Sequence, residues 1–134
     1  EGENMKTSNF QFLNPHLEDI YFSINKDYIP DELEVEMQNQ FGINVKKSKD
    51  KNMAYVQLTL EINMDDSINK PFEMFVKVAS EFKWESDMDE KVIDTMLNSN
   101  APALLLSYMR PIVANITNVS NIPVYNLPFI NFKQ

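Results

Sequence analysis

The sequence predicts an α+β fold: a four-stranded antiparallel β-meander followed by two C-terminal helices. Two observations predict it. Up to Trp84, apolar and polar residues alternate with period two, the mark of half-buried strands; from Ser86 onward the apolar residues recur at helical spacing. The 134 residues contain two glycines and no repeat or low-complexity linker, so residues 1–134 are expected to form a single domain.

The strands follow in order. Ile20, Phe22 and Ile24 supply the first apolar row. In the second, Leu33, Val35, Met37, Phe41, Ile43 and Val45 are apolar while Glu34, Glu36, Gln38, Gln40 and Asn44 are polar, giving one buried and one wet face. Lys46 to Asn52 is expected to be a hairpin tip whose four lysines are solvated rather than an anion patch. Val56, Leu58, Leu60, Ile62 and Met64 form the third row, with Gln57, Thr59, Glu61 and Asn63 opposite. After a turn from Asp65 to Pro71, the fourth row runs through Phe72, Met74, Val76, Val78, Phe82 and Trp84.

Ser86 ahead of Asp87, Asp89 and Glu90 marks a helix start, a capping hydroxyl with acids where the helix dipole favours them. Val92, Ile93, Met96 and Leu97 continue it; Asn98-Ser99-Asn100 is expected to break it, and Ala101-Pro102 to open the second helix. Leu105, Tyr108, Met109, Ile112, Val113 and Ile116 line one side of that helix, and Leu104 and Leu106 widen the arc until both sides should face protein. Leu104, Leu105, Tyr108, Met109, Ile112 and Ile116 are therefore the expected oligomer interface. Pro111 predicts a kink or local break, since proline costs ~3 kcal/mol in a regular helix interior. Pro123 and Pro128 exclude helix beyond, leaving an apolar tail with Val124, Tyr125, Leu127, Phe129, Ile130 and Phe132. So much apolar surface in so acidic a chain calls for a partner subunit or something to bind.

Composition narrows the function. Twenty acids against twelve bases give a net charge of −8, and Arg110 is the only arginine. That argues against nucleic-acid binding, which needs clustered cations to neutralise phosphates, and against docking on an anionic membrane. No apolar run approaches ~18 residues, so no direct membrane insertion is expected. The absence of cysteine excludes disulfides, zinc thiolates and cysteine nucleophiles, and favours the cytoplasm; no basic-then-apolar leader is expected ahead of the domain. Glu1 to Asn4 precede Met5 and are expected to be additions ahead of the natural start.

Nothing in the residue inventory points to an enzyme, a cofactor or a metal. His16, the sole histidine, precedes the first strong strand and reads as a surface-loop residue. With only Gly2 and Gly42 there is no phosphate-binding loop, and no serine sits in a Gly-x-Ser-x-Gly turn. Asp65-Asp66 and Asp87/Asp89 lack calcium-loop spacing. Of the eight methionines, Met37, Met64, Met74, Met96 and Met109 fall on buried rows, whereas Met53 and Met88 are free to be exposed.

Several short motifs occur in an order that resembles the SecB protein-export chaperones: Phe10-Gln11, Asp19-Ile20-Tyr21-Phe22, Tyr108-Met109-Arg110, Pro123, Asn126-Leu127 and Asn131-Phe132. The resemblance spans about Phe10 to Phe132. It implies an ATP-independent cytoplasmic holdase, a homotetramer built as a dimer of dimers, with unfolded or non-native polypeptides extended in apolar grooves. It also implies an acidic sheet face offered to the SecA motor, here Asp19, Glu34, Glu36, Glu61 and Glu73. That match is incomplete: Ser23 replaces the acid expected after Asp19 in the first strand, Phe75 stands at another acidic position, and the chain stops at Gln134, before the family's SecA-engaging extension. Pro111 also departs from a position that is often polar in the family.

Some SecB-like proteins guard an antitoxin in toxin–antitoxin systems, so the expected client is either preproteins for export or an antitoxin. The alternative is a structural or adaptor protein of the same fold with one fixed partner. For client contacts the candidates are Phe10, Phe12, Tyr28, Ile29, Val124, Tyr125 and Leu127, apolar residues outside the strand rows with aromatic anchors among them. The competing reading for Leu127 and Phe129 is that the tail packs on its own helix and closes the core.

Overall fold

A computed structural model of the chain describes residues 10–28, 37–48, 50–65, 69–120, 126–128, 130 and 132. Strands β1 (Phe10–Ile24), β2 (Asn39–Ser48), β3 (Met53–Ile62) and β4 (Phe72–Trp84) form one antiparallel sheet in the order β1-β4-β3-β2. Only β2, β3 and β4 follow one another as a meander; β1 lies against β4 on the far edge. The side chains give a reason for this refinement of the expected meander. β4 is a 13-residue strand carrying Phe72, Phe82 and Trp84; in the 15-residue β1, Phe12 and Phe10 lie opposite Phe82 and Trp84, and Phe22 meets Phe72 diagonally. Such aromatic cross-strand pairs add about 0.2–1 kcal/mol each.

β1 begins ten residues before Ile20 and takes in Phe10, Phe12 and His16, all expected outside the strands. Pro15 is tolerated because β1 is an edge strand with an irregularity in its pairing between Leu13 and His16. Asn14 takes the left-handed φ of 56° there, a conformation asparagine adopts more readily than most residues. A second irregularity separates Leu17 from Asp19.

The β2–β3 pairing reaches Ser48 opposite Met53, so Lys46 and Lys47 belong to the strand and not to the tip. Lys47 Nζ reaches Asp94 at 2.7 Å and Glu90 at 3.8 Å, which holds the strand end against the helix. Asn63, expected on the wet face, is buried at the end of β3 and fully used. It exchanges hydrogen bonds with the Gln38 backbone at 2.9 and 3.0 Å and donates to the Phe72 carbonyl at 3.1 Å. Because the chain turns at Asn63, Met64 leaves the buried row and is exposed.

The two expected helices are joined. α1 (Glu90–Thr95) runs through a π turn (Met96–Asn100) into α2 (Ala101–Val119). Helical backbone at Thr95, Met96, Asn100 and Ala101 carries the chain through the expected break. The cause is the core: Ile93, Leu97, Ala101 and Leu105 are buried at intervals of four. A π turn uses i→i+5 bonds, so a four-residue spacing drifts less around the axis there than in an α-helix. Asp89, not Ser86, occupies the N-cap, without a side-chain capping bond. Pro111 does not interrupt α2; it and Ser107, the residue whose carbonyl loses its helical donor, both lie on the exposed side.

The core sits between one face of the sheet and this helix. Leu58, Leu60, Ile62, Phe72, Met74, Val76 and Val78 meet Leu105, Leu106, Met109 and Val113.

Candidate functional site

α2 crosses β3 and β4 and touches β1, and the apolar sheet face is wider than the helix that covers it. Residues directly opposite in register point to the same side of a sheet. In the row Leu17–Val78–Leu58–Ile43, the two central residues are fully buried, while Leu17 is 40% and Ile43 is 43% exposed. Open apolar margins therefore run along both edge strands. On the β1 margin Ile24 is exposed as well, beside half-buried Ile20 and Phe22. On the β2 margin Phe41 and Val45 are half-buried and Lys47 closes one end through its bond to Asp94. The Asp94 hydrogen bond raises the Lys47 pKa, against an opposing contribution from burial.

The C-terminal tail reaches the β2 margin. Leu127 is 1% exposed, and its carbonyl accepts a 2.9 Å bond from Arg110 Nε. Ile130 and Phe132 are half-buried against the core, and the Phe132 ring meets Phe41 edge-on with centroids 6.4 Å apart.

The other face of the sheet is polar and cross-linked. The Glu18 carboxylate accepts from the Tyr55 hydroxyl and, at 2.7 Å, from Gln57; Asn44 donates to Gln57 at 2.9 Å. His16 Nδ1 lies 2.8 Å from the Asn14 carbonyl and Nε2 lies 3.2 Å from the Tyr55 hydroxyl. The Tyr55 bond is the main reason Glu18 stays below the usual carboxylate range, with Gln57 adding to it. Burial first, and then Glu18, pushes the Tyr55 phenol up to about 12. Glu73 is lowered by Lys70 at 2.9 Å and by the Tyr21 hydroxyl at 3.0 Å.

The sequence family described as preprotein translocase subunit SecB matches residues 3–134. The chain belongs to the SecB family. Protein-export protein SecB of Anaplasma marginale (strain Florida) is 24% identical over 137 residues, covering 98% of this chain and 76% of the relative. The SecB of Anaplasma phagocytophilum (strain HZ) is 23% identical over 139 residues, covering 98% and 85%. Among solved structures, the chain is similar to a Mycobacterium tuberculosis SecB-like chaperone in complex with a ChAD peptide from the HigA1 antitoxin. The TM-score is 0.71 at 11% identity, over 96% of this chain and 92% of that one. A protein of unknown function from Streptococcus agalactiae matches with a TM-score of 0.51 at 8% identity, over 90% and 97%. At such identities the structural likeness shows that the chain has the SecB-like fold.

Within this SecB fold the sequence candidates separate. Phe10 and Phe12 are half-buried members of β1 and stack on β4, with Phe12–Phe82 centroids at 5.1 Å and Phe10–Trp84 at 6.2 Å. Tyr28 is half-buried in the turn after β1, and its N–H donates to the Asn25 carbonyl at 3.2 Å. Ile29, Val124 and Tyr125 lie outside the described residues, as do Glu34 and Glu36. Leu127 is not a groove residue: it fills the core, because the tail packs back on its own helix. Leu105 and Met109 are likewise fully buried against the chain's own sheet and present no side chain to a second copy. Tyr108, Ile112 and Ile116 are half-buried, and Leu104 is exposed.

Asp19, Glu61 and Glu73 share the polar face, but Lys77 lies directly opposite Asp19 and Lys70 binds Glu73. Lys46, Lys77 and Lys83 are interspersed with Glu18, Asp19, Glu61, Glu73 and Glu81 on this SecB sheet, so its charge is less one-sided than expected. Sequence reasoning missed Glu18 because the irregularity between Leu17 and Asp19 brings two consecutive acids to the polar side, against the alternation. The open β2 margin at Ile43 was also missed. Alternation showed that Ile43 faces the helix layer but carried no information on how far that layer extends.

Proposed function

We propose that this SecB-family protein is an ATP-independent holdase that keeps non-native polypeptides extended along the open margins of its apolar sheet face. The observation that carries this reading is the row whose centre is sealed while Leu17 and Ile43 at its two ends are not. Such margins offer sequence-tolerant apolar contact, and extended polypeptides are commonly recognised alongside sheet edges. Phe10 and Phe12 border the same side as further contacts, and Tyr28, in the turn after β1, is a further candidate. The reading needs no catalytic group, places the protein in the cytoplasm and assembles it as a dimer of dimers through the exposed flank of α2.

The client class is either preproteins or a dedicated antitoxin-type polypeptide. The mycobacterial SecB-like chaperone bound to an antitoxin peptide supports the second, and so do the lysines interleaved on the polar face, which weaken it as a charge-driven dock for the SecA motor. The test is suppression of aggregation of several unrelated unfolded proteins by the wild type and by Ile43→Ser. The wild type should protect more than one of them. The variant should lose protection several-fold with little change in melting temperature. Unimpaired protection by the variant places the client elsewhere. Failure of the wild type to protect any of them, with tight binding to one folded protein, favours the adaptor reading.

A further inference from the structure

We infer that the end of the C-terminal tail, Ile130 and Phe132, is an intramolecular occupant of the β2 margin, a strap that a client has to displace. The inference rests on the holdase reading. Within the tail, Leu127 is fully buried whereas Ile130 and Phe132 are half-buried. The Leu127 carbonyl is held by Arg110, the chain's only arginine. Ile130 and Phe132 belong to neither helix nor strand. Phe132 is packed against the core only in part and rests edge-on against Phe41 of β2.

The floor under the strap continues beyond it. Phe41 and Ile43 are two residues apart on β2 and therefore point to the same side, and Ile43 is open where Phe41 is partly covered. An extended client following β2 across Ile43 reaches Phe41 next, where Phe132 sits. The tail also has the chemistry of a client: a proline, and apolar side chains ending in an aromatic ring. Two segments of like chemistry compete for one surface. The apparent client affinity is then reduced by the fraction of molecules in which the strap is seated, and each client bound releases a strap.

The experiment uses the full chain and, as probe, a soluble unfolded polypeptide made by reducing and carboxymethylating a disulfide-rich protein. Phe132→Ser is expected to bind the probe several-fold more tightly than the wild type, with the urea unfolding midpoint nearly unchanged. In wild type carrying a fluorinated Phe132, the fluorine resonance is expected to move to a solvent-exposed position as probe is added. This second readout stands even if Phe132→Ser folds poorly. Weaker binding by Phe132→Ser makes Phe132 part of the client surface and overturns the strap. Wild-type binding with no gain in the variant and an unmoved fluorine signal overturns the strap and leaves the holdase standing. No binding by either form overturns both.

Discussion

Glu18 holds its charge on a partly exposed sheet face because two side chains donate to it. A carboxylate stabilised in the folded state releases its proton more readily than in the unfolded chain. Its stabilisation is present above the unfolded value, about 4.3, and is lost as pH falls through the lower folded value. Glu73, held by Lys70 and Tyr21, acts in the same direction. The urea midpoint should therefore be flat between pH 7 and about 5 and decline below that, and Glu18→Gln should shallow the acid limb. An acid limb of unchanged slope in the variant would mean the network contributes no stability. Lys47, raised by Asp94, works at the other extreme: its contribution is lost as pH rises through a value above 10.5. At Leu127 the prediction concerns volume. Leu127→Ala should cost about 2–5 kcal/mol in urea unfolding, as for other buried leucines, while Phe132→Ser costs far less. Equal costs would mean that the tail is uniformly core.

At the scale of elements, the joined helix is held together by its buried line, Ile93, Leu97, Ala101 and Leu105, across a π turn. Pro111 is the weak point, exposed and without a donor for the turn before it. Pro111→Ala restores that donor in a segment that is already helical. It should raise stability by up to ~3 kcal/mol, read from the urea midpoint with helix content by circular dichroism unchanged or higher. A lower midpoint would show that the proline is needed for the helix path. β3 and β4 were legible from alternation because each buries one face. The join was not, because Asn98-Ser99-Asn100 carries breaker propensity whose override lies in the facing sheet, which a local pattern does not contain.

For the whole molecule, the chain's charge of −8 is spread over a surface where lysines intervene among the acids of the sheet. Apolar surface remains at Leu104 and Val119 on α2 and at Leu17 and Ile24 along β1. Leu104, Tyr108 and Ile112, spaced by four, form a ridge roughly opposite Arg110 at ~100° per residue, so the tail and this ridge occupy different flanks of α2. A second copy docking on the ridge leaves the β2 margin free for a client. Light scattering at micromolar concentration should give four times the 15.6 kDa chain mass. Leu104→Glu should lower that value while leaving the monomer folded. A wild type that stays monomeric overturns the dimer of dimers.

The sequence by itself determined the alternating rows of β3 and β4, the helical spacing after Ser86, the lack of thiol chemistry and the order of motifs that marks the SecB family. All of these are properties of neighbouring residues or of composition. Only the tertiary structure decided that β1 lies beside β4, that Glu18 joins Asp19 on the polar face, that Leu105, Met109 and Leu127 belong to the core, and that Ile43 remains open. Each of these depends on which distant segment covers a side chain. Periodicity says which way a residue points; what it meets there is settled by packing between parts of the chain far apart in sequence.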